Sequence, residues 1–294
     1  MKHTILGAGA IGGMLGTALA SLGNEVSLIT RREKLARHPE TVTLDRPNGT
    51  LTAKVSLVSA LTTSTDVLWI ATKTYQLEDA LDTIRVTPPA IVPLLNGIDH
   101  VALLRSRYGD DRVIPATIAV EAERTSDGHY VQRSPARLNI AQSGEALLSD
   151  TAQELRDIGF LCSFLASEAT LLWSKLCFLG PFALVTSASG KDLGQILADA
   201  EWKKALEYAF AEARAVAEAE GAQIDPARTQ AIIDASPPTM RSSMAKDLDA
   251  GRQLELDGIA GPILRSAAKW GIAAPTTKRL VAAIDERHRA RAHY

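Results

Sequence analysis

A short glycine-rich segment near the N-terminus constrains the fold of this chain most strongly. The apolar run Thr4-Ile5-Leu6 leads directly into a segment with glycine at its first, third and sixth positions: Gly7, Ala8, Gly9, Ala10, Ile11 and Gly12. An Ala- and Leu-rich stretch follows at residues 14–22. A strand, a glycine turn of this spacing and a helix are typical of a dinucleotide-binding unit, because the turn lets a diphosphate approach the helix N-terminus. An ordinary glycine-rich turn is the alternative.

The rest of the first half alternates between short apolar runs and helical stretches. Further apolar runs occupy residues 26–29, 67–71 and 90–95. A helical pattern at residues 75–84 separates the last two. Strands that alternate with helices predict a doubly wound, mostly parallel sheet, so this half is predicted to be an α/β Rossmann domain. Residues 112–142 instead contain successive strand-like runs, which predict an antiparallel extension at the edge of the sheet.

The second half has a different pattern, which predicts an all-α domain. The strand signal ends near residue 165, and helical patterns cover residues 201–220, 226–235 and 244–270. We therefore predict a Rossmann domain over residues 1–166 and a helical domain over residues 167–294. The basic stretch at residues 287–291 is interpreted as solvated helix surface. The long apolar helices of this domain can support a homodimer.

Composition excludes several classes of protein. The chain has 32 Lys and Arg against 34 Asp and Glu, without the concentrated basic face that nucleic acid binding needs. Two cysteines, Cys162 and Cys177, rule out a disulfide scaffold and fit a reducing compartment. The apolar stretch at residues 171–188 contains Lys175 and a Gly-Pro pair, so we interpret it as a buried helix and not a membrane span. We expect a cytoplasmic protein with no nucleic acid partner, no membrane partner and no metal site.

The residues after the second apolar run bear on the choice of dinucleotide. A chain that binds NAD usually has Asp or Glu at this point, where it accepts a hydrogen bond from the ribose 2′-hydroxyl. Here Arg31 and Arg32 occupy the position, and two guanidinium groups suit a 2′-phosphate. The predicted cofactor is therefore NADP(H), with solvated surface arginines as the alternative.

Two charged residues of the second half lie on apolar stripes. If the surrounding segment is helical, Lys175 shares a face with Leu171 and Leu179, which draws its ammonium towards the interior. Glu255 is aligned in the same way with Leu248 on its own predicted helix. Burial lowers the pKa of a lysine and a nearby carboxylate raises it, so together they can hold an acid that donates to a developing alkoxide. A lysine that extends its charge to solvent, or a structural ion pair, gives the same pattern.

Five motifs occur in order after the glycine turn. They are Lys73-Thr74-Tyr75-Gln76, Asn96-Gly97, Trp173-Ser174-Lys175-Leu176, Ser243-Met244-Ala245-Lys246-Asp247-Leu248 and Gly251-Arg252-Gln253-Leu254-Glu255-Leu256-Asp257. With the glycine turn, they resemble the ketopantoate reductase (2-dehydropantoate 2-reductase) family along nearly the whole chain. The resemblance implies a Rossmann domain packed on a helical domain with the site in the cleft. It also implies reduction of a small 2-oxo acid, 2-dehydropantoate, to pantoate with NADP(H).

The same resemblance implies roles for individual residues. Lys175 is the general acid that protonates the substrate C2 oxygen, Glu255 holds that lysine and meets cofactor or substrate hydroxyls, and Asn96 orients the lysine, the cofactor and the substrate. Ser243 binds the substrate carboxylate. Two of these residues have structural alternatives, since Asn96 is a common turn former and Ser243 is a natural N-cap for a helix that begins at Met244.

On the cofactor side, the resemblance extends beyond the glycine turn. It implies that Lys73 and Gln76 lie along the adenosine part of the cofactor, near Arg31. Exposed residues in the first turn of a helix are the alternative for both.

The chain also departs from the family pattern. Four family asparagines are replaced by apolar residues, at Leu179, Ala183, Leu193 and Met240. A ligand hydroxyl buried unpaired against such residues would cost about 1–3 kcal/mol, so we hypothesise a more apolar 2-oxo acid as substrate, or weak turnover of 2-dehydropantoate. Contacts from Thr186, Ser187 and Ser189 in a rearranged pocket would instead restore the lost hydrogen bonds.

Other functions stay open on the sequence alone. A family relative could oxidise a 2-hydroxy acid in the reverse direction or reduce an imine. A non-catalytic sensor of NADP is the alternative from a different class. The presence of Lys175 and Glu255 argues against the sensor, because a sensor has no need of an acid in a dry site, whereas the missing asparagines argue for it.

Overall fold

The computed structural model describes residues 1–292, and the chain forms two compact units. The N-terminal unit consists of Met1–Leu95 and His100–Leu171. The helical unit consists of Asn96–Asp99 and the chain from Leu172 onwards. The change of unit at Leu171 and Leu172 lies a few residues beyond the domain boundary predicted from the sequence.

The N-terminal unit holds all the strands of the described chain, residues 1–292. They are β1 (Lys2–Leu6), β2 (Glu25–Ile29), β3 (Thr41–Arg46), β4 (Gly49–Lys54), β5 (Ser56–Val58), β6 (Val67–Ile70), β7 (Ala90–Pro93), β8 (Ala116–Ala119), β9 (Ala122–Ser126), β10 (His129–Gln132), β11 (Arg137–Ala141) and β12 (Leu161–Leu165). Its helices are α1 (Ala10–Ser21), α2 (Arg32–Leu35), α3 (Leu77–Leu81), α4 (His100–Tyr108) and α5 (Glu145–Asp157), with short 3₁₀ helices at Thr74–Gln76, Asp110–Arg112 and Gln142–Gly144.

Five of these strands form a wholly parallel sheet in the order β5-β2-β1-β6-β7. When its strands are counted along the chain, the order is 3-2-1-4-5, which is the order of a Rossmann fold. Strand β6 is buried along its whole length, as expected for a parallel sheet that is covered on both faces. The predicted Rossmann domain is therefore confirmed.

The predicted antiparallel extension at residues 112–142 is wrong in its topology. Strands β9 and β10 join β3 and β4 in a separate sheet of order β4-β3-β10-β9, and β8 and β11 join β12 in a third sheet. The hairpin of β3 and β4, which turns at Pro47-Asn48-Gly49, was not predicted from the sequence. An Asn-Gly pair between alternating apolar residues is a hairpin signal that could have predicted this hairpin. This second sheet packs against α1.

The helical unit confirms the predicted all-α domain. Its helices are α6 (Glu168–Ser189), which begins in the N-terminal unit, α7 (Leu193–Ala198), α8 (Ala200–Ala219), α9 (Pro226–Ala235), α10 (Ser243–Asp249), α11 (Leu256–Trp270) and α12 (Pro275–Ala292). The single helix predicted over residues 244–270 is wrong, because the chain breaks between α10 and α11. Gly251 has a φ of +65° in this break, and the left-handed conformation ends α10.

Helix α6 is a long apolar helix of the described chain. It is long and apolar enough to cross a membrane by length and composition, yet 61% of its most apolar window is buried inside the protein. Phe182 and Leu184 of this helix lie in the core of the helical unit, together with Leu206 and Ile259. Such burial is the pattern of a core helix, in agreement with the interpretation of residues 171–188 as a buried helix.

Two arginines of the C-terminal basic stretch do more than form solvated surface: Arg287 is half-buried, and Arg291 is exposed as predicted but hydrogen-bonded. Arg287 donates from Nη1 to the carbonyl oxygens of Ser187 and Ala188 at the end of α6, over 2.5 and 3.0 Å. Arg291 donates to the carbonyl oxygens of Leu248 and Asp249 at the end of α10. A cation at a helix C-terminus satisfies carbonyls that have no partner inside the helix and interacts favourably with the helix dipole.

The start of α12 depends on a carboxylate from α8. Glu212 accepts hydrogen bonds from the backbone N–H groups of Thr276 and Thr277, over 2.7 and 2.8 Å, and from the Thr277 hydroxyl over 2.7 Å. Both threonines are buried. Glu212→Ala should therefore lower the free energy of unfolding by about 1–3 kcal/mol, because buried donors lose a charged acceptor.

Urea denaturation measures this effect. Glu218→Ala is the matched control on the same helix, since Glu218 forms an exposed ion pair with Arg214 over 3.6 Å and should change stability by less than about 0.5 kcal/mol. Equal losses in the two variants would contradict the role of Glu212 as a cap for α12.

Candidate active site

The turn between β1 and α1 is shaped by its glycines. Gly7 has a φ of +105°, and an added Cβ there would lie 2.9 Å from the carbonyl oxygen of Ala71. An added Cβ at Gly12 would lie 2.0 Å from the carbonyl oxygen of Gly7, so α1 packs on this turn only with glycine at that position. Gly9 differs, since its φ is −80° and no protein atom lies within 4 Å of an added Cβ. Neither strain nor crowding requires glycine at position 9, and the open space fits a ligand that approaches the backbone.

The N-terminus of α1 is suited to an anion. Gly9 is the N-cap, no side chain caps the helix, and its first N–H groups have no acceptor within the helix. Arg124 of β9 donates from Nη1 to the carbonyl oxygen of Ala8 over 3.5 Å and pairs with Asp127 over 3.5 Å. Arg124 could not be predicted from the sequence, because its position depends on the packing of the second sheet against α1.

The predicted contacts for the rest of a dinucleotide lie at the carboxyl ends of strands beside β1. Arg31 and Arg32 follow β2 and are exposed. Lys73 and Gln76 follow β6, are half-buried, and belong to the 3₁₀ turn before α3. Strand β6 lies on the other side of β1 from β2, so these two pairs flank the glycine turn. This set of donors and charges fits an NAD(P) dinucleotide.

In the helical unit, three predicted site residues form one hydrogen-bonded chain. Lys175 of α6 donates from Nζ to Asn96 Oδ1 over 3.1 Å, and Asn96 donates from Nδ2 to Glu255 Oε2 over 3.2 Å. Glu255 is the N-cap residue of α11, and 3% of its surface is exposed. Its predicted alignment with Leu248 is wrong, because Leu248 belongs to α10, but its predicted burial is confirmed.

The electrostatics of this chain make Lys175 an unusual lysine. Burial lowers the pKa of Lys175 from 10.5 to about 8, and the charge of Glu255 partly opposes this shift. At neutral pH most of the amine is therefore protonated, although it is far more acidic than a solvated lysine. A group with these properties can donate a proton to an oxygen that gains charge during a reaction.

Asn96 is held by a close approach of two backbones. Gly97 has a φ of +78°, and an added Cβ would lie 1.9 Å from the carbonyl oxygen of Gly258 in α11. Pro262 lies four residues after Gly258 in the same helix and has no N–H to donate to that oxygen. The helix therefore presents to the loop that carries Asn96 a carbonyl that cannot accept from the residue four positions later, and only glycine leaves enough room for it.

Ser243 is not the N-cap of a helix, which was the structural alternative predicted for it. Helix α10 begins at Ser243, one residue earlier than predicted, and its N-cap is Ser242, whose Oγ accepts from the N–H of Ala245 over 3.1 Å. The hydroxyls of Ser242 and Thr186 are also hydrogen-bonded to each other over 2.8 Å. Ser243 is exposed in the first turn. Its role in binding a substrate carboxylate remains a prediction.

The four positions that replace family asparagines fall into two groups. Ala183 and Leu193 are buried in the core of the helical unit, with 0% and 2% of their surfaces exposed. Leu179 and Met240 are half-buried. Any effect on a ligand surface therefore rests on Leu179 and Met240.

Two of the three hydroxyls considered as replacements for the lost asparagines are buried as well, and the third, Ser189, is half-buried. Thr186 and Ser187 have 0% and 1% of their surfaces exposed, and Thr186 also donates to the backbone of α6. Ser189 donates to the carbonyl oxygen of Val185 over 2.7 Å. Across residues 1–292, no cluster of three or more His, Cys, Asp or Glu side chains could hold a metal ion.

Sequence models of known protein families match both parts of the chain. The sequence model of the family Ketopantoate reductase PanE/ApbA matches residues 3–145, and that of its C-terminal domain matches residues 169–288. The chain belongs to the ketopantoate reductase family. Members of this family are oxidoreductases that act on CH–OH groups.

Individual relatives cover almost the whole chain. The 2-dehydropantoate 2-reductase of Caulobacter vibrioides is 28% identical, over 96% of this chain and 97% of that protein. The crystal structure of a ketopantoate reductase from Ralstonia eutropha has a TM-score of 0.88 at 24% identity and covers all of both chains. A structure of D-mandelate dehydrogenase with NADH and anilino(oxo)acetate has a TM-score of 0.87 at 22% identity, over 99% of each chain. The two structures share the fold of this chain.

Proposed function

We propose that this protein is an NADPH-dependent reductase that converts a 2-oxo acid to a 2-hydroxy acid, with 2-dehydropantoate as the first candidate substrate. The observation that carries the proposal is the hydrogen-bonded chain of Lys175, Asn96 and Glu255, which contains an amine with a pKa of about 8. Reduction of a ketone needs a proton at oxygen when hydride reaches carbon, and this lysine suits that need. The family and the Caulobacter vibrioides relative support the choice of substrate.

The residues of the chain have distinct roles in this reaction. Bound NADPH supplies the hydride that forms the C2–H bond. Lys175 donates a proton from Nζ to the C2 oxygen, so one hydride and one proton convert the carbonyl to an alcohol, and the neutral amine then takes a proton from solvent. Asn96 fixes the direction of the ammonium through Oδ1, and the carboxylate of Glu255 holds the amide and favours the protonated lysine. Ser243 would bind the substrate carboxylate.

The cofactor would be held mainly by the N-terminal unit. The N–H groups at the start of α1 would bind the diphosphate beside Gly9, with Arg124 adding positive charge to that end of the helix. Arg31 would bind the 2′-phosphate, and Lys73 and Gln76 would lie along the adenosine. Asn96 and Glu255 would supply further contacts to the cofactor.

Arg31→Ala should change the choice of cofactor. A hydrogen bond between charged groups contributes about 1.5–3 kcal/mol, so we expect the KM for NADPH to rise about 10- to 100-fold while the KM for NADH stays almost unchanged. Steady-state kinetics with both cofactors measures this. Arg37→Ala removes an exposed charge six residues away and is the control. Equal losses with both cofactors would contradict a 2′-phosphate site at Arg31.

A more apolar 2-oxo acid is the second candidate substrate. Leu179 lies one helical turn beyond Lys175 in α6 and is half-buried, as is Met240, and neither can hydrogen-bond a hydroxyl of the substrate. The D-mandelate dehydrogenase structure supports this candidate to the extent that the same fold serves another substrate in that protein.

Oxidation of NADPH against a panel of 2-oxo acids tests the proposal. The panel contains 2-dehydropantoate, 2-oxoisovalerate, pyruvate, phenylpyruvate and benzoylformate, with NADH and Lys175→Ala as controls. Preference for 2-dehydropantoate supports the first candidate, and preference for a bulkier apolar acid, lost in the variant, supports the second. A protein that binds NADPH but oxidises it with none of these acids would be the NADP sensor.

The exposed apolar residues of the helical unit and the two cysteines support a proposed assembly and a proposed location. We propose a homodimer formed through the helical unit, where Leu197, Tyr208 and Trp270 are exposed. Light scattering of the purified protein measures this. A cytoplasmic location is proposed because Cys162 and Cys177 are both free and buried.

A further inference from the structure

Asn96 and Glu255 lie on two short segments, each of which also carries an aspartate. Asp99 follows Asn96 by three residues in the loop between β7 and α4. Asp257 follows Glu255 by two residues, in the first turn of α11. Both segments belong to the helical unit, so the geometry of Asn96 and Glu255 depends on what joins the loop to the helix.

Arg265 joins the two segments. Its Nε and Nη2 donate to Asp99 Oδ2 over 3.0 and 2.5 Å. Its Nη1 donates to Asp257 Oδ1 over 2.7 Å, and Nη2 also reaches Asp257 Oδ2 over 3.4 Å. The two carboxylates raise the pKa of the Arg265 guanidinium above its ordinary value. One planar group with several donors can bridge two acids in this way, whereas the single ammonium of a lysine cannot reproduce the fork.

Stability alone does not explain this arrangement. The side chains of Arg265, Asp99 and Asp257 are 53%, 52% and 83% exposed, and exposed ion pairs contribute little to the free energy of unfolding. The loop itself lies against α11 through Gly97, which has no side chain with which to hold it. Exposed ion pairs that contribute little to the free energy of unfolding can still influence the position of Asn96 between Lys175 and Glu255.

We propose that Arg265 is a positioning residue for the Lys175, Asn96 and Glu255 chain, because it fastens the loop of Asn96–Asp99 to the first turn of α11. The inference rests on the proposed function, since it assigns Arg265 to the geometry of the proposed acid. Arg265 touches none of the three residues in its described contacts and acts through Asp99 and Asp257. A displacement of about 1 Å in such a chain is enough to lower a reaction rate about 100-fold.

The test compares Arg265→Ala, Arg265→Lys and Asp99→Asn with the unchanged protein. We expect Arg265→Ala and Asp99→Asn each to lower kcat about three- to tenfold with a smaller change in substrate KM, and Arg265→Lys to fall between, because exposed ion pairs can supply no larger effect. The double variant should lose little more than either single one, because both changes break the same tie. Arg214→Ala is the control, since it breaks an exposed arginine ion pair of the same unit and should leave kcat within about twofold.

A second readout does not need a substrate. The ε-carbon signal of Lys175 in ¹³C-lysine-labelled protein, assigned with Lys175→Arg, reports the pH at which this amine titrates. In Arg265→Ala and Asp99→Asn it should titrate at higher pH, closer to an ordinary lysine, because a displaced loop lets water reach the ammonium. A purely structural tie would lower the melting temperature without moving this titration.

The measurements of kcat and of the Lys175 titration distinguish failure of the positioning role from failure of the proposed function. Unchanged titration of Lys175 together with unchanged kcat in both variants would overturn the positioning role. If the unchanged protein reduces none of the 2-oxo acids, the proposed function fails, and the titration alone still decides whether Arg265 positions the lysine. Asp99→Asn, which changes one exposed side chain with almost no change in volume, keeps the test open if Arg265→Ala does not fold.

Discussion

Lys175→Ala should lower kcat about 100- to 10,000-fold, which is the range that a positioned general acid contributes. The variant loses the ammonium of the hydrogen-bonded chain, which is the proposed proton donor, and leaves Asn96 and Glu255 in place. Binding of NADPH should persist, because the glycine turn and Arg31 belong to other elements. Single-turnover kinetics and fluorescence titration of NADPH separate the two effects.

The variant Lys175→Arg tests whether Lys175 donates a proton or only supplies a positive charge. A guanidinium keeps the positive charge that faces Glu255 but has a pKa above about 12, so it cannot release its proton in this range. We expect it to be nearly as inactive as Lys175→Ala. Lys278→Ala removes an exposed lysine of α12 and should leave kcat unchanged. Substantial activity in Lys175→Arg would contradict proton donation by Lys175 and leave only electrostatic stabilisation.

The pH dependence follows from the same lysine. The reactive form is the ammonium, so kcat/KM for reduction should be level below the pKa of Lys175, about 8, and should fall tenfold per pH unit above it. An ordinary lysine would place the fall near 10.5. Rates measured from about pH 6 to about pH 10, with the stability of the protein checked at each pH, locate it. A profile that is flat through pH 9 would contradict the lowered pKa of Lys175.

The sequence predicted those features of the site that depend on local pattern. The glycine turn, the parallel sheet and the buried face of α6 that carries Lys175 all follow from periodicity and from residues adjacent in the chain. Glu255 shows the limit of this approach. Its burial was predicted from a helix that continues through residue 255, whereas the chain breaks at Gly251 and the residue becomes the N-cap of α11.

Contacts between distant segments could not be predicted in this way. Arg124 reaches the glycine turn from a second sheet whose hairpin was overlooked, and Arg265 meets Asp99 across 166 residues of sequence. The pairing of Asn96 with Lys175 was implied by resemblance to a family and by no spacing in the chain, and the pairing of Asn96 with Glu255 was not predicted. Arg287 illustrates the same limit, since its carbonyl partners in α6 lie about 100 residues away and its sequence suggested only a solvated helix surface.

Gly97→Ala should damage both stability and activity, and the two effects have different causes. A residue with a Cβ costs about 1–2 kcal/mol in the left-handed conformation that Gly97 adopts at φ +78°. The added Cβ would also lie 1.9 Å from the carbonyl oxygen of Gly258, a backbone atom of α11 that cannot turn aside. The loop must therefore move away from the helix, and Asn96 moves with it.

Gly271→Ala is the matched control for this variant. Gly271 has a φ of +65°, but no atom lies within 4 Å of an added Cβ, so its replacement carries the conformational cost without the clash. We expect both variants to lower the midpoint of urea denaturation. Only Gly97→Ala should also lower kcat about 100-fold or more, because it separates Asn96 from Lys175 and Glu255. If the two variants lose stability alike and both keep full activity, the close approach of Gly97 to Gly258 does not set the geometry of the acid, and the position of Asn96 must be fixed by its own two hydrogen bonds.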